Sequence, residues 1–392
     1  MRIGIDARFL THPQKGGFKT YTENLVAGLA QVDATNEYVL YLDRAPHAQT
    51  RLPMQSNFTH RIVPNGLPLI GMPWREQVSL ARQVARDRVD LLHSPCLTAP
   101  LRLVCPRVVT IHDMIWMEPE KYSTSETKSL SRRLMQEYYR RVTQAVARDA
   151  SMIITVSHAA KASIVTALRL APECVRVTHE AAAEFYRKVD DVGQLDAARI
   201  KYRLPKNFVL AIGSADPRKN LTTAVHAYAQ MPASVRQEFR MVIVWTHAFL
   251  ADELTKQIEN LGLQSQVQFL QNVPNQDLIL LYNLASLFVF PSLYEGFGLP
   301  LLEAMQCGTP VIAANNSSIP EIVGESAMLV LAQDAPGMAQ AMTQVLTDDD
   351  LRVRLAQKGL SQAAGFSWRE CARQTIAGYE QALRNHAQKR CG

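Results

Sequence analysis

The feature that most limits what this chain can fold into is a rhythm. Short apolar runs alternate with stretches of helical period, and the alternation continues through almost all of the 392 residues. Residues 2–6, 38–42, 90–93, 108–112 and 151–156 read as strands. Helical stripes fall at 21–30 (Leu25, Val26, Leu29) and at 128–149 (Leu130, Leu134, Tyr138, Val142, Val146). An apolar strand followed by a helix returns parallel to its predecessor, so the pattern predicts a doubly wound α/β sheet. The rhythm breaks over the polar, aperiodic stretch 190–204. It restarts with strands at 208–213, 241–245, 267–270, 287–291 and 310–314, and with helices near 252–261, 275–284 and from Pro300. Two Rossmann-like domains follow, 1–190 and 191–367, with a last helical segment in 368–392. Such sheets bind ligands beyond the carboxyl ends of their strands, so chemistry is expected in the loops that follow strands.

Composition sets outer limits. Hydrophobic residues at 47% supply more than one core, and charged residues at 20% with no low-complexity tract predict order except at the extreme end. Cys96, Cys105, Cys174, Cys307, Cys371 and Cys391 are widely spaced and form no CxxC pair. That spacing argues against a zinc site or a disulfide framework and for reduced thiols in a cytoplasmic protein. The start, MRIGIDARF, reads as a strand rather than a signal peptide. No run approaches the ~18 uninterrupted apolar residues of a spanning helix, so the expectation is a cytoplasmic protein or one lying peripherally on the cytoplasmic membrane face.

The net charge of +6 sits in the first half. Residues 1–192 carry 25 Lys/Arg against 19 Asp/Glu, and the remainder carries 17 of each. A basic half suits an anionic membrane or a phosphorylated acceptor, and equally an ordinary solvated surface. Arg132, Arg133, Arg140, Arg141 and Arg148 on the 128–149 helix invite the same two readings. No nucleic-acid motif is visible, and none of that class of partner is expected.

The richest local signal is EGFGLPLLE, from Glu295 to Glu303. It follows an apolar run and precedes the strand VIAA. Gly296 and Gly298 let backbone amides approach a ligand, Pro300 suits the first helical position, and Gly308 suits a helix end. A helix N-terminus here favours a diphosphate. Glu295 on the loop and Glu303 in the first helical turn can face the same ligand and accept hydrogen bonds from sugar hydroxyls. Taken singly, each glutamate reads more readily as a surface charge (Glu295) or a dipole-complementing acid (Glu303) than as a ligand-binding residue. The double-glycine loop between them shifts the balance.

This segment resembles the Glu-x7-Glu signature of glycosyltransferase family 4, and the surrounding PSLYEGFGLPLLEAMQCGTPVIAAN matches that family's pattern closely. The resemblance covers nearly the whole chain and is strongest over 208–320. It implies the GT-B fold, two facing Rossmann-like domains with a deep interdomain cleft, and a final helix that crosses back to the N-terminal domain. It implies donor binding by Glu295 near the sugar, by Glu303 at the ribose, and by the amides of Gly296, Phe297, Gly298 and Leu299. AIGSADPRKN resembles the family's diphosphate loop and brings in Arg218 and Lys219, which with Glu295 and His112 form the catalytic set that the resemblance implies. TIHDM resembles its His-Asp pair, which gives His112 a place near the transferred sugar and Asp113 a place on the acceptor side. GGFKTYTENL supplies Gly16 and Gly17 for the diphosphate, with Lys15 and Lys19 toward a phosphorylated acceptor.

By resemblance the reaction is retaining transfer of a hexosyl unit, mannosyl or glucosyl, from a nucleoside-diphosphate sugar to a hydroxyl. The hydroxyl belongs to a sugar, a lipid-linked sugar or a small molecule. No cofactor and no metal is expected. The Asp-rich TDDDLRVRL reads as a helix cap, and Arg218, Lys219 and the helix dipole stand where a metal would. Two departures from the family pattern stand out. Trp245-Thr246-His247 replaces a Gly-rich turn, and HEAAAEF (179–185) replaces an Asn-Gly turn. A sugar-nucleotide isomerase or epimerase of the same fold, and a non-catalytic nucleotide-sugar-binding protein, are the rival readings.

Overall fold

The computed structural model describes the chain except for residues 14–15, 49, 66–70, 118–129, 247–251 and 392. The described residues form two compact units. The first is drawn from residues 1–180 and 367–392, the second from Ala181–Phe366.

The first unit is built on a seven-stranded, all-parallel sheet. Its strands are β1 (Arg2–Ile5), β2 (Glu37–Leu42), β3 (Phe58–Ile62), β4 (Leu91–Ser94), β5 (Arg107–Thr110), β6 (Met152–Thr155) and β7 (Val175–Val177), in the order β3-β2-β1-β4-β5-β6-β7. The inner strands β4, β5 and β6 are buried throughout, as expected for a sheet covered on both faces. β3 is different. It pairs only with β2 and is largely exposed, which is why its polar sequence gives no strand signal.

The second unit repeats the plan with β8 (Asn207–Gly213), β9 (Phe239–Trp245), β10 (Val267–Gln271), β11 (Leu287–Phe290), β12 (Val311–Ala314) and β13 (Ala327–Val330), ordered β10-β9-β8-β11-β12-β13 and parallel throughout. Its main core gathers Val209, Ile243, Val289 and Ile312 from the strands with Tyr228, Met338 and Met342 from covering helices.

The helix Leu130–Asp149 departs from its expected stripe. Val142 and Val146 are buried and Tyr138 is half-buried, but Leu134 is 63% exposed, so the core-facing stripe closes only in the later turns. Arg133, Arg140, Arg141 and Arg148 are exposed, and Arg140 and Arg141 both pair with Glu137.

The helix Trp368–Cys391 belongs to the first unit and packs on the helix Gly17–Val32. Gly28 permits the contact, since a Cβ there would lie 2.6 Å from the Trp368 carbonyl. The helix also reaches the sheet. The Tyr379 hydroxyl meets His93 Nδ1 at 2.7 Å, and His93 Nε2 meets Thr110 Oγ1 at 2.8 Å. Burial pushes the His93 imidazole down to about 3, so it stays neutral. Among the described residues no helix is long and apolar enough to cross a membrane.

Candidate active site

In the second sheet the strand order reverses between β8 and β11, and the loops after these neighbours leave the sheet side by side. The loop after β8 ends in the short turn Pro217–Lys219. Asp216 caps it, accepting from the Arg218 backbone N–H at 3.0 Å, and also holds the Arg218 guanidinium. Asn220 takes a left-handed conformation, φ +49°, which asparagine tolerates better than most side chains. Its amide donates to the carbonyls of Pro291 (2.9 Å) and Ala332 (2.7 Å), tying together the loops after β8, β11 and β13. The Leu293 N–H donates to the Arg218 carbonyl at 2.7 Å.

The result is that Lys219 and Glu295, 76 positions apart in sequence, form an ion pair at 2.7 Å. The same ammonium lies 5.5 Å from the centre of the Phe290 ring. A cation suited to phosphate and a carboxylate suited to hydroxyls therefore share one place.

Gly298 is the N-cap of the helix Leu299–Gln306 at φ +111°, a conformation L side chains rarely adopt. Pro300 sits at the second helical position rather than the first, because the helix starts at Leu299. No side chain caps this end, which leaves its first-turn dipole available to an anion. The far end closes as a Schellman motif. Gly308, at φ +75°, donates to Met305 O, and Thr309 donates to Ala304 O. The loop is braced from behind by Asn316-Ser317-Ser318 after β12. Ser317 Oγ accepts from the Glu295 N–H at 3.0 Å, and Ser318 Oγ donates to the Phe297 carbonyl at 2.7 Å. The Phe297 ring is buried, 6.0 Å from that of Phe366, so any part Phe297 plays toward a ligand falls to its backbone.

Glu303 opens the second turn of this helix, not the first, which contains no acid. The Tyr282 hydroxyl donates to it at 3.0 Å, and the Tyr186 hydroxyl also acts to lower its pKa. Burial pushes its carboxyl up to about 7, against the opposing effect of the two tyrosines and the Lys219 charge. The Lys219 charge, paired with Glu295, thus also acts on Glu303. A carboxylate offers about four lone-pair positions. With one taken by Tyr282, the remainder suit the vicinal hydroxyls of a ligand.

In the first unit His112 lies two residues past the end of β5, not at its tip as the apolar run suggests. Its Nδ1 faces Glu180 Oε1 at 3.2 Å and its Nε2 faces the Pro95 carbonyl at 3.1 Å. A carboxylate and a carbonyl both accept, so the two contacts together favour the imidazolium form, with a proton on each ring nitrogen. Burial opposes that charge, but the Glu180 hydrogen bond and carboxylate outweigh it and raise the pKa. In that form His112 is a positioned cation with no lone pair to act as a base.

The Asp113 carboxylate accepts from the Ile115 N–H, and its carbonyl accepts from Trp116 Nε1. The Lys19 ammonium donates to the His12 carbonyl at 3.0 Å and lies 3.8 Å from Glu23. Gly16 is the N-cap of the helix Gly17–Val32, and a Cβ at either Gly16 or Gly17 would meet no neighbour within 4 Å. Lys15 lies outside the described residues. In the Asp-rich segment, Asp348 caps the helix Asp349–Ala363 by accepting from the Leu351 N–H.

Comparison with known proteins places this geometry. Residues 15–181 match the family described as "Glycosyltransferase Family 4", and residues 196–362 match "Glycosyl transferases group 1". O-antigen chain mannosyltransferase B of Escherichia coli is 30% identical over 387 residues, 95% of this chain and 98% of the relative. The chain belongs to glycosyltransferase family 4. It is therefore a glycosyltransferase. Sucrose-phosphate synthase from Thermosynechococcus elongatus superposes with a TM-score of 0.75 at 22% identity, covering 98% of this chain and 99% of that one. HepE from Anabaena, solved with UDP and glucose, superposes with a TM-score of 0.73 at 20% identity, covering 97% and 99%. These likenesses show the GT-B fold of two parallel-sheet α/β domains.

In the second unit the structure brings together Arg218, Lys219 and Glu295 where the loop 296–299 leads into the helix that carries Glu303. In the first it clusters His112 with Tyr21 and Phe18. Sequence reasoning missed Glu180, Asn220, Tyr186, Tyr282, Ser317 and Ser318 as supports of this glycosyltransferase's site. Asn220 carried a signal, an asparagine directly after the Arg-Lys pair and before a helix. Glu180 falls in the 179–185 stretch that departs from the family pattern, and the others act across long sequence separations and carried none.

Proposed function

We propose that this glycosyltransferase moves a hexosyl unit, mannosyl by preference, from a nucleoside-diphosphate sugar to a hydroxyl acceptor in glycan biosynthesis, with retention at the anomeric carbon. The observation that carries the reading is the Lys219–Glu295 pair at 2.7 Å, joined to an uncapped helix N-terminus. Arg218, Lys219 and the helix dipole would neutralise the diphosphate. Glu295 would hold sugar hydroxyls and Glu303 the ribose diol. The mannosyl preference follows the name of the E. coli relative, and the nucleotide donor is supported by the UDP bound to HepE.

In the proposed step the bond between the anomeric carbon and the phosphate oxygen breaks, and its electron pair leaves with the diphosphate. The acceptor oxygen bonds to the same face of that carbon, and its proton passes to the leaving diphosphate. His112 as an imidazolium suits this course, because it stabilises charge and accepts no proton. Asp216 and Glu295 are each paired with a cation already, which favours transfer without a metal.

The test is the double substitution Arg218→Ala, Lys219→Ala. Transfer from GDP-mannose or UDP-glucose is expected to fall by at least two orders of magnitude, the scale of losing preorganised charge stabilisation. The melting temperature should stay within a few degrees. Retained turnover overturns the assignment. Incubation with donor alone separates transfer from isomerisation, since an isomerase needs no acceptor.

A further inference from the structure

The first sheet reverses its strand order between β1 and β4, so its ligand-binding edge lies beside the loop that follows β1. A ladder of aromatic rings climbs out of the core there. Tyr21, fully buried, meets His112 edge-on at 4.6 Å between centroids. His112 meets Phe18 at 5.2 Å, Phe18 meets Phe9 at 5.5 Å, and Phe9 meets His12 at 6.1 Å. The outer rings, Phe18, Phe9 and His12, are half-buried, unlike the core aromatics of the sheet.

Three of the cations described near the ladder are held by partners, and the Arg8 guanidinium also lies 5.5 Å from the centre of the Phe9 ring. Lys19 is held by the His12 carbonyl and Glu23, Arg8 by Glu76 at 2.9 Å, and Arg44 by Asp43 at 2.8 Å. Burial lowers the proton affinity of His12, so its ring is neutral near pH 7. A phosphorylated acceptor would have to pull these cations from carboxylates already satisfied. A pyranose would not, because its C–H face is slightly positive and packs on the negative face of an aromatic ring.

We propose that Phe18, Phe9 and His12 form the acceptor platform of this enzyme, and that the acceptor is a neutral saccharide stacked on these rings rather than a phosphorylated one. This rests on the transferase reading above and names its acceptor class. The platform begins one ring from His112, so a sugar stacked on Phe18 presents its hydroxyl beside the residue assigned to the transferred sugar.

The experiment is saturation-transfer NMR and calorimetry on the full chain, with α-mannobiose as the neutral probe and mannose 1-phosphate as the charged one. The disaccharide is expected to bind, and mannose 1-phosphate no more tightly. Phe18→Ala should weaken disaccharide binding about tenfold, the scale of one lost aromatic contact plus its buried area. Phe18→Leu keeps apolar bulk without the flat face and should weaken it as well while leaving the melting temperature near wild type. Thermal stabilisation by GDP and UDP, measured in parallel on all chains, should not change. Tighter binding of mannose 1-phosphate, no saccharide binding, or saccharide binding untouched by both Phe18 substitutions overturns the platform. Loss of nucleotide stabilisation in the wild type would instead sink the donor reading, and it leaves the saccharide measurement intact.

Discussion

Two carboxylates in this protein are defined by what donates to them. Glu180 gives His112 a charged acceptor at 3.2 Å, and the Pro95 carbonyl takes the other nitrogen. Glu180→Gln removes the charge and keeps the shape. The His112 imidazole pKa, followed by NMR, should then fall. Because His112 is raised by its partner, the interaction stabilises fully below the ordinary imidazole pKa and fades as pH rises through the shifted value. The alkaline limb of the pH–rate profile should accordingly move to lower pH in the variant, and an unmoved limb would show that the imidazolium does no work. Glu303 is the second case. Tyr282→Phe frees one lone pair of a buried carboxylate and loosens its aim. Nucleoside diphosphate affinity should drop by about 1 to 2 kcal/mol, with the preference for ribo- over 2′-deoxyribonucleotides narrowing. A purely structural tyrosine would leave that preference unchanged.

Among the elements, the unit from β11 to β12 was legible almost in full. Gly298, Gly308 and the Pro300 turn follow from φ requirements and a missing N–H, which are local facts. Gly308→Ala forces a Cβ into φ +75° and should destabilise by about 1 kcal/mol. Chemical denaturation would show it as a shift of midpoint at constant slope. Other elements were not legible. β3 and β7 are short or polar and exist because a neighbouring strand offers a partner. The stripe of the helix Leu130–Asp149 promised burial at Leu134, but periodicity says which residues share a face and not how far along the helix the core extends. The segment 179–185, which breaks the family's usual turn, carries Glu180, so the departure is where His112 finds its partner.

At the scale of the whole molecule the chain begins and ends in the same unit. Trp368–Cys391 covers the helix Gly17–Val32 and supplies Tyr379 to buried His93 and Trp368 to Tyr21, at 5.8 Å between rings. Truncation before Trp368 should therefore expose the first unit's core. Loss of soluble, monodisperse protein by size-exclusion chromatography is the expected outcome, although the donor residues lie in the other unit. A truncated chain that stays monodisperse with an unchanged melt would show the helix to be dispensable.

By itself the sequence determined the parallel α/β plan, the restart that makes two units, and the EGFGLPLLE loop with its cations at Arg218 and Lys219. All of these are encoded in short-range periodicity, backbone φ and the chemistry of single side chains. Only the tertiary structure decided that Lys219 pairs with Glu295, that Glu180 faces His112, that Tyr282 donates to Glu303, and that Phe18, Phe9 and His12 follow His112 outward from Tyr21. These depend on which strands become neighbours. The reversal of strand order at β1–β4 and β8–β11 sets distant loops side by side, and no local pattern records that adjacency.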